Sequence, residues 1–318
     1  MKKNLLTISF FAFFCFLVVQ ADVPFHSLFF VHNEEAETVS ADLTAETLYE
    51  KLEEASKEWN EPPKDAVIDK VWKAIPGYNG TMVNVKESYE AMKKTGEFRE
   101  SHLVMEEVPP EVHLSDLPPA PIYKGNPAKP AASIMVNVSW GEEYIPRMLK
   151  ILREEKVKAT FFLEGKWVQK QPKLAKMIKE EGHEIGSHAY SHPDMSQSGS
   201  TKIRQELKQT NEVLEAVLAE KPALFAPPSG SYNDETVETA AEFEMHTVLW
   251  TVDTVDWKNP EPAAMASKTA SKVENGSLIL MHPTPSAVGG LKEMIQQIKE
   301  KGIKLDTVSQ TFKETRID

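Results

Sequence analysis

Cysteine is almost missing from this sequence. The only one is Cys15, so the chain beyond it has no thiol for catalysis or metal binding and no disulfide. Basic charge is also scarce: 36 Lys+Arg stand against 48 Asp+Glu, a net charge of −12. That balance excludes the basic clusters with which nucleic-acid binders replace phosphate counterions. Long apolar runs are lacking everywhere except from Leu5 to Val19. That run follows Lys2 and Lys3 and ends at Val19-Gln20-Ala21, small residues at the cleavage positions of a secretory signal. It is short for a full membrane span. Residues 1–21 therefore read as a signal peptide, or as an N-terminal anchor if left uncleaved, the one membrane contact on offer. Ala12, Phe13 and Phe14, before Cys15, do not make a lipoprotein signal. An exported chain without cysteines suits a bacterial cell envelope, extracellular or wall-associated.

What is present is ordinary for a globular protein: 318 residues, 41% hydrophobic and 26% charged, enough for a large core and more than one domain. The charge is unevenly spread. Residues 22–130 carry 21 acidic against 11 basic residues, and the remainder of the chain is close to balance. Within the acidic part, Leu43, Leu48 and Leu52 predict an amphipathic helix. Ile68, Val71 and Trp72 read as a second helical stripe. Residues 75–80 read as a turn, Thr81–Val85 as a strand and Val85–Lys94 as another helix. Residues 22–106 are thus expected to be a small acidic α+β domain, an interaction or spacer module. Seven prolines lie between Pro109 and Pro130, so residues 107–130 read as an extended, semi-rigid linker with the domain boundary near Pro130.

From Ala131 onward, short apolar strands alternate with helices. Strands are expected at 134–138, 157–163, 183–187, 224–226, 247–252, 277–281 and 303–305. Helical stripes lie between them, for example Ile145, Met148, Leu149 and Leu152 behind Pro146. Such β-α units imply a parallel sheet, open or closed into a barrel, with chemistry at the C-terminal strand ends.

The special residues fall at those ends. His188 and His192 are spaced i, i+4 just past a strand, an arrangement that can aim two imidazoles at one metal ion. Taken alone such a pair is more often two surface or core histidines than a metal site. Other strand ends carry Asn137 to Gly141, Pro227 to Gly230, Asp253 to Trp257, and His282. Asp253 and Asp256 also suit turn or helix caps, and Trp140 and Trp257 suit either the core or a sugar-stacking wall. His32, His102, His113, His183 and His246 lack any partner pattern and read as structural.

Five such motifs in this order, with the stretches VKATFFLEG and GHEIGSHAYSHPDM, resemble the polysaccharide deacetylase family, carbohydrate esterase family 4, over roughly residues 133–310. The resemblance implies a distorted (β/α) barrel over residues 131–318. It also implies removal of N-acetyl groups from a glycan, peptidoglycan or chitin-like, with a divalent metal such as Zn²⁺ or Co²⁺. It makes His188 and His192 metal ligands and His282 the acid that protonates the departing amine. Asp253 would orient His282. Trp140, Pro228, Ser229, Trp257 and Leu280 would contact substrate, and the Ser229 backbone N–H would face an oxyanion.

Two motifs depart from the family. Where it has two aspartates, base then third metal ligand, this chain has Asn137 and Val138. An amide cannot take a proton near neutral pH, and an isopropyl group cannot bind a metal. The family's arginine before the two prolines is replaced by Ala226. Losing the carboxylate and its arginine together is coherent, since either alone would be an unpaired charge in a cleft. Glu142, Glu143 and Asp194 are candidate substitute carboxylates. Two readings stand: a deacetylase with weak or lost activity, or a catalytically silent glycan-binding or scaffold protein.

Overall fold

A computed structural model describes residues 45–316. The expected signal segment, Cys15, His32 and Leu43 lie outside the described residues. Within them the chain divides into two compact units. The division is not the one expected from composition. One unit holds residues 45–56 and 84–104; the other holds 57–83 together with 105–316. No helix among the described residues is long and apolar enough to cross a membrane.

The smaller unit is built on the helix Ala45–Trp59, whose Leu48 and Leu52 are buried against Met92 of the helix Val85–Met92. Tyr49 stacks on Tyr89 with ring centroids 4.3 Å apart. Asn84 caps the second helix by accepting the Glu87 N–H.

The larger unit opens with two small antiparallel pairs. β1 (Val67–Asp69) pairs with β2 (Lys73–Ile75), and β3 (Gly80–Val83) with β4 (Met105–Val108). Ile68, Val71 and Trp72, expected on one helical face, instead lie on and beside this first hairpin. The Asp69 carboxylate accepts the Val71 and Trp72 N–H groups at 2.8 and 2.7 Å, the side-chain turn that competes with helix. Their side chains face solvent.

The main sheet is parallel and curled into a partial barrel. Its strands are β5 (Ala131–Val138), β6 (Thr160–Leu163), β7 (Glu184–Ser187), β8 (Leu224–Phe225), β9 (His246–Thr247), β10 (Val252–Asp253), β11 (Leu278–Met281) and β12 (Lys304–Asp306). The hydrogen-bonded order is β10-β11-β5-β6-β7-β8-β9, with β12 also on β5. β5 is buried throughout because both faces are covered, which is why it reads as a mostly apolar run, interrupted only by the buried Ser133 and Asn137. Ala132, Ile134, Val136 and Val138 pack outward with the helices Ile145–Glu154 and Pro285–Glu300. Met135 packs inward with Phe162, Leu224, Ala226 and Leu278.

The single strand expected over residues 247–252 is two strands at opposite edges of the sheet. Only a few residues separate β9 from β10, so the two edges must lie close together, and the sheet curls. The seam is filled from outside the expected domain. Ile122 is fully buried, donates its N–H to Thr247 and accepts from Leu249, bridging Val248 in parallel register. The proline-rich run is therefore not a free linker. Its prolines keep it extended, while Ile122, Gly125 (to Gly276) and Asn126 (to the Pro76 carbonyl) bind it into the larger unit.

Candidate active site

Six strand ends converge on one cavity of about 400 Å³. β5 delivers Asn137, Ser139 and Trp140. Gly141 follows at φ +80°, and a Cβ there would stand 2.1 Å from the Pro283 carbonyl. Only glycine lets this loop cross the one after β11. The crossing lays the Trp140 ring over His282, centroids 6.0 Å apart and 7° from parallel. Asn137 is buried, and its Oδ1 has no hydrogen-bond partner.

The end of β7 delivers the two histidines. Ala189 and His192 take left-handed φ of 60° and 56°, a strained loop for non-glycine residues. Glu206, buried on the helix Ser200–Leu218, holds that loop. Its carboxylate accepts the Tyr190 and Ser191 N–H groups at 2.9 and 2.7 Å and the Ser191 hydroxyl at 2.7 Å. Burial pushes the Glu206 carboxyl up, but Lys202 and Ser191 outweigh it and leave it below the ordinary range. His188 donates Nδ1–H to the Ala226 carbonyl at 2.7 Å, which fixes its tautomer and leaves Nε2 as the free nitrogen. Burial, with His192 and His282 nearby, pulls its pKa down to about 3, so it is neutral at physiological pH. The two rings lie 5.2 Å apart at 74°.

His282 follows β11. Its partner is Asp256, not Asp253. The Asp256 carboxylate is fully buried and takes His282 Nδ1–H at 2.9 Å and His282 backbone N–H at 2.6 Å. The Thr284 hydroxyl reaches it at 3.3 Å. Val255 at φ 54° turns the chain into a short 3₁₀ segment, Asp256–Lys258, which swings Asp256 back under His282. Asp253 is spent on that turn: it lines the cavity but accepts the Val255 N–H at 2.7 Å.

The remaining expected contacts divide. Ser229, Trp257 and Leu280 line the cavity; Pro228 is buried and does not. Trp257 is 51% exposed, with Lys258 Nζ 4.8 Å from its ring centre. Trp250 also lines the cavity and was missed, because it falls inside a run that reads as strand. Of the proposed substitute carboxylates, Asp194 is committed to Ser196 and Ser231, which hold it below its ordinary pKa. Glu142 and Glu143 do not line the cavity. Glu164, just past β6, neighbours Ser139 and His192 but does not line the cavity either, and burial pushes it above its ordinary pKa.

The side chains present do not complete the metal site that the family uses. His188 and His192 supply two nitrogens. Val138, read from the sequence as standing at the third-ligand position, turns its side chain into the outer apolar layer, away from the cavity. Among the described residues no group of three or more His, Cys, Asp or Glu is placed to hold an ion.

A curled parallel half-barrel with these strand-end residues defines a deacetylase-type protein. A polysaccharide deacetylase family model matches residues 124–248. The chain is 46% identical over 317 residues to the uncharacterized protein YlxY of Bacillus subtilis, covering 100% of this chain and 99% of that one. It is 34% identical to a peptidoglycan-N-acetylglucosamine deacetylase of Bacillus cereus, over 54% of this chain and 82% of the relative. Among solved structures it matches BA3943 of Bacillus anthracis, a CE4 family pseudoenzyme. That match has TM-score 0.79 and 47% identity over 85% of this chain and 96% of that one. A BA3943 mutant with restored enzymatic activity matches equally well, at TM-score 0.79. The chain belongs to the polysaccharide deacetylase family, carbohydrate esterase family 4, whose members are metal-dependent.

Proposed function

We propose that this protein binds an N-acetylated glycan of the bacterial envelope, peptidoglycan or chitin-like, and that its deacetylase activity is weak or lost. The observation that carries the reading is Asn137. We read it as standing at the base position, an amide where the family has a carboxylate, and Ala226 as replacing the family's arginine; the buried, unpartnered Asn137 Oδ1 supports this. Acetamide hydrolysis needs a base to activate water and an acid to release the amine. The acid half survives in His282, oriented by Asp256. The base half does not. Loss of a positioned base costs about 10²–10⁴-fold in rate. The walls that would hold an acetylated sugar, Trp140, Trp257 and Leu280, remain. The names of the Bacillus cereus relative and of BA3943 support the glycan and the weakened catalysis respectively. The apolar segment Leu5–Val19 supports export, with membrane attachment only if that segment stays uncleaved.

The test is acetate release from acetylated chito-oligosaccharides and peptidoglycan with Zn²⁺ or Co²⁺ present, beside direct binding of the same glycans. Binding without measurable release is expected, with release rising in Asn137→Asp. Rapid release by the natural chain, abolished by His282→Ala, would overturn the reading.

A further inference from the structure

Aromatic side chains continue out of the cavity onto a part of the chain that precedes the barrel strands. Trp250 lines the cavity, and the chain at Gly230 packs on it so closely that a Cβ would stand 2.7 Å from the indole. Two residues on, the Tyr232 hydroxyl meets that of Tyr123 at 2.9 Å. The Tyr123 ring lies 6.3 Å from that of Trp72, at the tip of the β1–β2 hairpin. Trp72 is 38% exposed, with Lys124 Nζ 5.7 Å from its ring centre. Apolar ring faces interleaved with hydroxyl and ammonium donors suit a sugar, which offers C–H faces and hydroxyl rims. A buried-core explanation fails for Trp72, which sits among other solvent-facing apolar residues of the hairpin.

We infer that Trp72, Tyr123 and Tyr232, with Lys124, form a second contact surface for the same amino-sugar polymer, engaging units beyond the one in the cavity. This rests on the glycan reading of the cavity. Continuity with that cavity through Trp250 favours a glycan over a protein occupant. Ligand length then determines affinity, because a short oligomer fills the cavity alone and a long one reaches the hairpin.

Calorimetry with N-acetylated chito-oligosaccharides, dimer against hexamer, tests it. The hexamer should bind about tenfold more tightly, and Trp72→Ala should remove that gain while leaving the dimer unchanged. Trp257→Ala, in the cavity, should weaken both. Absence of binding at either length would overturn the cavity reading and the surface with it. Equal affinity for the two lengths, or a hexamer unaffected by Trp72→Ala, would overturn the surface alone. Self-association lost in Val71→Ser with hexamer affinity unchanged would assign the hairpin to protein contact and equally overturn it.

Discussion

Asp253 and Asp256 show what single residues add to a motif. Both fit the same pattern, three apart, and spacing cannot say which carboxylate meets His282. The left-handed Val255 decides it, by turning Asp256 under the imidazole and leaving Asp253 to close the turn. The energetics should differ accordingly. Asp256→Ala strands a buried backbone N–H and a ring N–H and should cost about 3 kcal/mol. Asp253→Ala removes one turn hydrogen bond and should cost about 1 kcal/mol. Urea denaturation of both variants measures this, and equal losses would contradict the pairing. Val138 makes the complementary point. Its side chain faces the outer helices, as strand alternation requires of the residue after the inward-facing Asn137, so it is a core residue and not part of the cavity wall. Asn137 was legible as a candidate cavity residue because it falls at a strand end, and it does line the cavity. Glu164 was not, because nothing in the sequence marks the residue just past β6 as a neighbour of Ser139 and His192.

Elements follow from local pattern where burial is two-sided and fail where a few tertiary hydrogen bonds override it. β5, β6 and β11 were readable because both of their faces are apolar. The run over residues 247–252 was not, because its split depends on where the sheet edges meet. The β6–β7 pair carries a pH dependence of its own. His183, entering β7, accepts the Ala159 N–H on Nδ1 at 3.2 Å and packs on Phe161 with ring centres 5.1 Å apart. Burial, and then Lys158, pulls its pKa from 6.5 down to about 4. A base depressed in the folded state binds protons first when unfolded. Its contribution to stability is complete above about pH 6.5 and is lost as pH falls toward 4. His188 acts in the same direction. Denaturation midpoints should therefore fall between about pH 7 and pH 5, and fall less in His183→Asn, whose Oδ1 can still accept the Ala159 N–H. Identical pH slopes in the two proteins would refute this.

The whole molecule is where composition misleads most. A proline-rich run reads as a linker because proline cannot donate to a ladder, yet a single non-proline residue within it, Ile122, closes the barrel seam. Because β9 and β10 are short edge strands, the seam between them depends on a segment that lies before Ala131. The barrel therefore cannot be equated with residues 131–318. Ile122→Ala should leave a cavity in the inner core and cost about 3 kcal/mol, against almost nothing for Val71→Ala, which is 68% exposed. A fragment of residues 131–318 loses more than that side chain. The Thr247 carbonyl and the Leu249 N–H lose their partners, as do the Gln310 and Lys313 carbonyls that accept from Lys129, and the inner cluster opens to water. That fragment should lack a cooperative urea transition and bind a hydrophobic dye, whereas residues 57–318, which retain the hairpins and Ile122, should unfold with a transition close to that of the full chain. A sharp, full-stability transition from residues 131–318 alone would show that the seam closes without its upstream segment.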